Sequence, residues 1–266
     1  MLERLRGENC REGIVMFNAT ISDAKLWKNL LTAVSTLIEE ADFNATPDGI
    51  KLRAMDPSHV AMVDFEWPKT AFEEYVCATQ MKIRVNISEM LKLLRRVRSD
   101  ETLKIVYDEK TKKLNLTLKN KITRKFVMPT LETTEEEVPT PKITFNSKIK
   151  LTTESLKDII EDSQAISDNI RLEANPEKFT IMAVGELSSA TIELDKESPA
   201  LLELDVKELS KATFNLNYLA EIVKAGAMTS EVVTAEFSTN MPVKLEFELP
   251  RQGHLIYYLA PRIEAE

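Results

Sequence analysis

The chain has 266 residues, 43% hydrophobic and 29% charged, with a formal net charge of −8. That length is enough for two domains with their own cores, and the apolar runs are far too short for a bilayer-spanning helix. Two cysteines, two histidines and six glycines, with no HExxH, no GxSxG and no glycine-rich phosphate loop, leave no material for a metal site, a cofactor cradle or a nucleophile–base set. The chain is therefore read as a non-enzyme without a cofactor.

The first stretch, "MLERLRGENCREGIV", mixes charges of both signs and has no apolar core of a secretion signal. With Cys10 and Cys77 unable to form a disulfide framework, a reducing intracellular compartment is expected. Residues 1–15 are read as a disordered extension, and the structural pattern opens at Met16-Phe17. Trp27, Leu30, Leu31, Val34, Leu37 and Ile38 recur at helical spacing behind a capping Ser22 or Asp23. "FNAT", the turn Pro47-Asp48-Gly49 and a strand from Ile50 form a hairpin. "LRAMDPSHVAMVDF" then alternates like a strand but is broken by Asp56-Pro57-Ser58-His59, where proline excludes a central ladder position. "EYVCAT" and "MKIRVNI" are strand-like. A second helix follows with Ile87, Met90, Leu91, Leu94 and Val97 on one face, then the strands "TLKIVYD", "KLNLTLK" and "RKFVMP".

The same order recurs after residue 142, at an offset of 129: Trp27 meets Leu156, Leu30 meets Ile159, Ala54 meets Ala183, Asn86 meets Asn215 and Leu103 meets Val232. One offset serving several segments indicates a duplicated domain. Each half is α+β, several antiparallel strands carrying two helices that bury one face on the sheet. The boundaries are domain 1 over 16–130, an extended linker at 131–142 ("LETTEEEVPTPK", with three consecutive glutamates and two prolines) and domain 2 over 143–266.

Charge is unevenly spread. Residues 82–125 hold fourteen Lys/Arg against five Asp/Glu, a local +9 that leaves −17 elsewhere. Lys92, Arg95 and Arg96 sit opposite the apolar face of the second helix, with Arg98 just beyond. Lys28 and Lys157, like Arg95 and Lys224, occupy repeat-equivalent positions, and Lys211 lies shortly before Lys224. No aromatics interleave with these cations, so stacking on single strands is not expected. Sequence-independent phosphate contact by Lys28, Lys92, Arg95, Arg96, Arg98, Lys157, Lys211 and Lys224 is. The third helix also carries Asp158, Glu161 and Asp162, which weakens its part in a positive surface.

"LRAMDPSHVAMVDF", "ISEMLKLLRRV" and "GHLIYYLAPRIE" resemble the proliferating cell nuclear antigen family of sliding clamps, in its archaeal form, and the likeness runs from Met16 to the C-terminus. The resemblance implies a homotrimeric ring of six similar domains around duplex DNA, with helices lining the hole. It implies loading by an ATP-driven clamp loader, no catalysis, and short-peptide attachment of DNA polymerase, flap endonuclease and DNA ligase. The compartment would be the cytoplasm with the nucleoid in an archaeon, or the nucleus in a eukaryote. By the same resemblance, Met55, His59, Val60, Met62, Val138, Pro139, Pro242, Tyr258, Leu259, Ala260 and Pro261 form the peptide pocket. Subunits would meet through Thr123, Arg124, Lys125, Phe126 and Val127 on one side and Ala190, Thr191, Ile192, Glu193 and Leu194 on the other. Two alternatives stand beside this reading: a two-repeat architectural or transcription-type DNA binder, and one subunit of a heterotrimeric clamp.

Overall fold

In a computed structural model, residues 17–134 and 138–263 are described. The expected extension over 1–15 and the linker's Glu135, Glu136 and Glu137 lie outside them. Domain 1 runs β1 (Phe17–Ile21), α1 (Ala24–Ser35), β2 (Glu40–Thr46), β3 (Gly49–Met55), β4 (Ala61–Pro68), β5 (Glu74–Cys77), β6 (Met81–Asn86), α2 (Ile87–Leu93), β7 (Thr102–Asp108), β8 (Lys113–Lys119) and β9 (Thr123–Pro129). Domain 2 repeats it: β10 (Ser147–Thr152), α3 (Thr153–Gln164), β11 (Asn169–Ala174), β12 (Lys178–Val184), β13 (Ser189–Asp195), β14 (Leu201–Val206), β15 (Ser210–Asn215), α4 (Leu216–Gly226), β16 (Val232–Phe237), β17 (Val243–Leu249) and β18 (Gly253–Leu259).

The helices start where a side chain can cap them. Asp23 accepts from the amides of Lys25 and Leu26 (2.9 and 3.1 Å), and Asn86 accepts from the Glu89 amide (2.8 Å). Asn215, the counterpart of Asn86, accepts from the amides of Asn217 and Tyr218 (3.0 and 3.2 Å). Starts at Ala24 and Thr153, and at Ile87 and Leu216, reproduce the 129-residue offset. One pairing shifts. Ile21 lies opposite Leu103 while Leu151 lies opposite Val233, so the counterpart of Leu103 is Val233, one residue beyond the Val232 expected from the offset. Two one-residue changes bring this about. Ser22 separates Ile21 from its helix cap, whereas Leu151 runs directly into its cap Thr152. The stretch from the start of the second helix to the paired residue is also one residue longer in domain 2 (Leu216 to Val233, against Ile87 to Leu103). Val233 is fully buried and Val232 is not.

Among the described residues the strands form three antiparallel sheets. One is β5-β1-β7-β8-β9, one is β13-β12-β11-β15, and the third has nine strands in the order β14-β10-β16-β17-β18-β4-β3-β2-β6. The nine-stranded sheet crosses the domain boundary through β18 and β4, from His254 opposite Glu66 to Leu259 opposite Ala61. The helices contact one another in the row α2, α1, α4, α3, forming one layer. In domain 1 this layer buries Trp27 of α1 in a stack on Trp67 (centroids 6.0 Å apart) and beside Phe43 (5.9 Å). In domain 2 the end of α4 presses so close to Phe247 that a Cβ at Gly226 would lie 2.2 Å from the ring, which is why glycine stands there.

Candidate functional site

The break in the β3–β4 hairpin is built by one side chain. The Asp56 carboxylate, 3% exposed, accepts from the backbone amides of Ser58 (3.0 Å), Val60 (2.7 Å) and Ala61 (2.6 Å). The Tyr218 hydroxyl of α4 donates to it as well, at 3.0 Å. Burial alone would push this carboxyl up, but the backbone and hydroxyl donors more than offset that and hold it below the usual carboxylate range. Pro57 has no amide to satisfy, and His59 closes the turn in the left-handed region (φ 57°), its amide donating to the Asp56 carbonyl at 2.9 Å. The C-terminal segment then ties on, with the Ala260 amide donating to Val60 (2.9 Å). The residue types in "MDPSHV" are thus those of a tightly specified loop.

A groove of about 990 Å³ opens beside this loop, over the outer face of β2, β3 and β4, with the interdomain segment strapped across it. Arg53 holds one end of the strap: it pairs with Asp64 (2.6 Å) and donates to the Thr140 hydroxyl (2.6 Å). Arg84 and Asp42 hold the other. Arg84 reaches Asp42 (3.3 Å) and the Thr134 hydroxyl (3.1 Å), and Thr134 donates to Asp42 (2.7 Å). Cations and acids alternate along the floor, and the apolar surface gathers at the loop end.

The expected pocket residues separate into three sets. Met55, His59, Val138 and Pro139 line the groove, with Met55 39% exposed at its mouth. Val60, Ala260 and Pro261 are half-buried beside it, as is Tyr258, which lies opposite Met62 in the β4–β18 ladder; Pro242, also half-buried, directly precedes β17. Met62 is only 2% exposed, covered on the outer face of the sheet. Leu259 corrects the expectation: strand alternation turns its side chain into the main core at 1% exposure, so it offers backbone and not a wall. Sequence reasoning missed Arg53, Arg84, Asp42 and Tyr218, whose roles depend on contacts 42 to 162 residues apart.

The expected phosphate contacts fall on the helix layer. Lys28 donates to the Arg95 carbonyl at 3.3 Å, joining α1 to the end of α2. Arg95, Arg96, Arg98 and Lys224 are exposed, and among the described residues none of them has a carboxylate within ion-pair distance. Lys92 pairs with Glu89 (2.6 Å) and Lys157 with Glu161 (3.4 Å) on their own helices. Lys211 lies apart from the layer, exposed on β15, an edge strand.

Thr123–Val127 and Ala190–Leu194 lie on β9 and β13, each the last strand of its sheet. Val127 is 58% exposed and Phe126 half-buried, whereas Leu194 points into the core. Two charged side chains of these edges are already paired inside the chain: Arg124 grips Glu101 (2.6 Å), and Glu193 pairs with Lys178.

Comparison with known proteins places two family models end to end on this chain: proliferating cell nuclear antigen, N-terminal domain, over residues 16–138, and C-terminal domain, over 139–262. The DNA polymerase sliding clamp of Nitrosopumilus maritimus is 37% identical over 249 residues, 94% of this chain and 99% of that protein. DNA polymerase sliding clamp 1 of Pyrobaculum aerophilum is 36% identical, over 92% of this chain and 98% of that one. Among solved structures, the proliferating cell nuclear antigen of Thermococcus kodakaraensis matches with a TM-score of 0.88 and 27% identity, over 92% of this chain and all of the other. A PCNA2–PCNA3 complex of Sulfolobus tokodaii matches at 0.85 and 28%, over 93% of this chain and all of the matched one.

Proposed function

This chain belongs to the proliferating cell nuclear antigen family, and from that premise we propose that it is a sliding clamp, a non-catalytic processivity factor that encircles duplex DNA and tethers DNA polymerase to it. The observation that carries this reading is an open copy of the chain's own domain junction. β9 is the counterpart of β18 and β13 that of β4; β18 and β4 pair inside the chain, while β9 and β13 end their sheets. Head-to-tail association through a heterologous contact that closes gives a ring, here three copies and six domains, and it covers both unpaired edges.

The internal junction supplies the register. Leu255 lies opposite Phe65 and Tyr257 opposite Val63. Carried over through the matching ladders, Arg124 lies opposite the neighbour's Ile192 and Phe126 opposite its Ala190. The α1–α4 contact transfers in the same way to α3 of one copy and α2 of the next. Asn29, which donates to the Met228 carbonyl (2.9 Å), and Ala33, which accepts from Tyr257, correspond to Asp158 and Asp162. The acids on α3 then face the neighbour's depression of about 230 Å³ lined by Lys92, Arg95, Arg96 and Arg124. They serve the subunit contact, which explains their presence beside a positive layer. Arg96, the counterpart of Ala225 buried at the internal junction, belongs to that contact too. Lys28, Arg95, Lys157 and Lys224 remain for the DNA.

Client enzymes attach at the strapped groove through short peptides bearing a glutamine, an aliphatic anchor and paired aromatics, with linker backbone beside an apolar pocket. Polymerase, clamp loader, flap endonuclease and ligase are clients in this reading. Light scattering at several concentrations, followed by retention on closed circular DNA and its loss on linearisation, tests the assignment. A monomeric mass at micromolar concentration and low salt, or equal loss from circular and linear DNA, would overturn it.

A further inference from the structure

The Asp56 loop is held from outside by a residue of the other domain. Asp56 Oδ1 takes the amides of Val60 and Ala61, while Oδ2 takes the amide of Ser58 and the hydroxyl of Tyr218. Tyr218 is placed by its own surroundings: its amide is capped by Asn215, and its half-buried ring packs against the core. A rigid ring thus carries the hydroxyl to a carboxylate 162 residues away in sequence. That carboxylate holds the turn, with His59 in the left-handed region, and Pro57 and His59 of this turn line the groove beside Met55. We propose that Tyr218 is a positioning residue for partner binding, holding the β3–β4 loop in its peptide-receiving shape from α4, the helix that also carries Lys224. A charged acceptor that loses one of four donors leaves Ser58–Val60 free to sample other turns, and a peptide must then order them.

This inference rests on the groove being the peptide site. Calorimetry on the assembled protein with a short peptide bearing the glutamine, aliphatic and paired aromatic residues tests both. Tyr218→Phe, which keeps the ring, is expected to weaken the peptide about tenfold, without moving the urea midpoint in proportion. Amide exchange is expected to quicken at Ser58, Val60 and Ala61 and to stay unchanged in β3 and β4. Because the hydroxyl acts through Asp56, Tyr218→Phe is expected to add nothing to Asp56→Asn. Wild-type affinity in Tyr218→Phe, or full additivity of the two changes, overturns the role of Tyr218 and leaves the groove standing. No peptide binding by the wild type removes the groove itself, and the inference with it.

Discussion

The hydroxyl of Tyr257 donates to the carbonyl oxygen of Ala33 at 2.8 Å, across the boundary between the two domains. Tyr257 is fully buried, and that burial pushes its phenol well above the ordinary value, so it is a neutral donor throughout the working range. Tyr257→Phe keeps the packed ring and removes the bond. The Thr36 hydroxyl still donates to the same carbonyl (2.7 Å), so no acceptor is stranded and the loss is expected to be about 1 kcal/mol. Urea unfolding at neutral pH checks it, and a loss above about 3 kcal/mol would mean that the ring had moved as well.

The open junction is the more exposed to substitution. Asp158 and Asp162 are exposed on α3, so replacing both by Ala costs a single chain little. At the proposed subunit contact the same change would strip the acids that face Lys92, Arg95, Arg96 and Arg124. The expected outcome is a monomer by light scattering with unchanged circular dichroism. A ring that persists at nanomolar concentration would place α3 elsewhere.

Much of this arrangement is legible in the residues. Helix periodicity and caps stand out because Asp23, Asn86 and Asn215 precede clean apolar stripes, and their common offset exposes the duplication. What misleads is any place where a single residue is gained or lost. Val232 replaces Val233 in a fixed-offset reading because register in a sheet has period two and one residue gained between the start of α4 and β16 moves every side chain of the strand. Leu259 is assigned to the wrong face for a related reason: a motif names its residue but not the direction of its side chain. The acids on α3 look like a defect in a positive surface until the internal junction shows what packs on the equivalent face of α1. Arg53, Arg84 and Tyr218 carry no local signal, since their partners lie in other elements.

DNA contact is expected to follow the refined set. Arg95→Gln with Lys224→Gln removes cations from the repeat-equivalent positions, and light scattering of the variant checks that the ring persists, because Arg95 also borders the depression that the α3 acids face. Affinity for duplex should fall for all sequences alike, and the slope of log K against log salt should flatten by about 0.9 for each phosphate no longer neutralised. An unchanged slope would remove these two residues from the lining.

Asp56 gives the groove a pH dependence. Its carboxyl sits below the ordinary value of 3.8, raised by burial and lowered further by three amides and the Tyr218 hydroxyl. A depressed folded value means that the stabilisation is fully present above 3.8 and is lost as pH falls through the folded value. Asp56→Asn should therefore cost about 1–2 kcal/mol at pH 7, and the gap to wild type should close only below the ordinary carboxylate range. A gap that closes already near pH 6 would point to a different titrating group.

Partner binding is tested best at Met55, because the other methionine of the site is a poor probe. Met62 is 2% exposed, and a glutamate there would bury a charge, so a lost peptide could reflect a damaged sheet. Met55 is 39% exposed at the mouth of the groove, where a charge is solvated and folding is unaffected. The control needs the same chemistry outside the groove. Lys51 fails, since it lines the groove and pairs with Glu66 at 2.9 Å. Leu202, 50% exposed on the edge strand β14, serves. Methionine adapts to varied anchors, and apolar anchors in a desolvated pocket each contribute roughly 2 kcal/mol or more. Met55→Glu is accordingly expected to weaken the peptide by about 2 kcal/mol, near thirtyfold, while Leu202→Glu binds as wild type does. Equal affinity for both variants would move the peptide away from the loop end of the groove. Equal loss in both would mean that net charge, and not the pocket, sets the affinity.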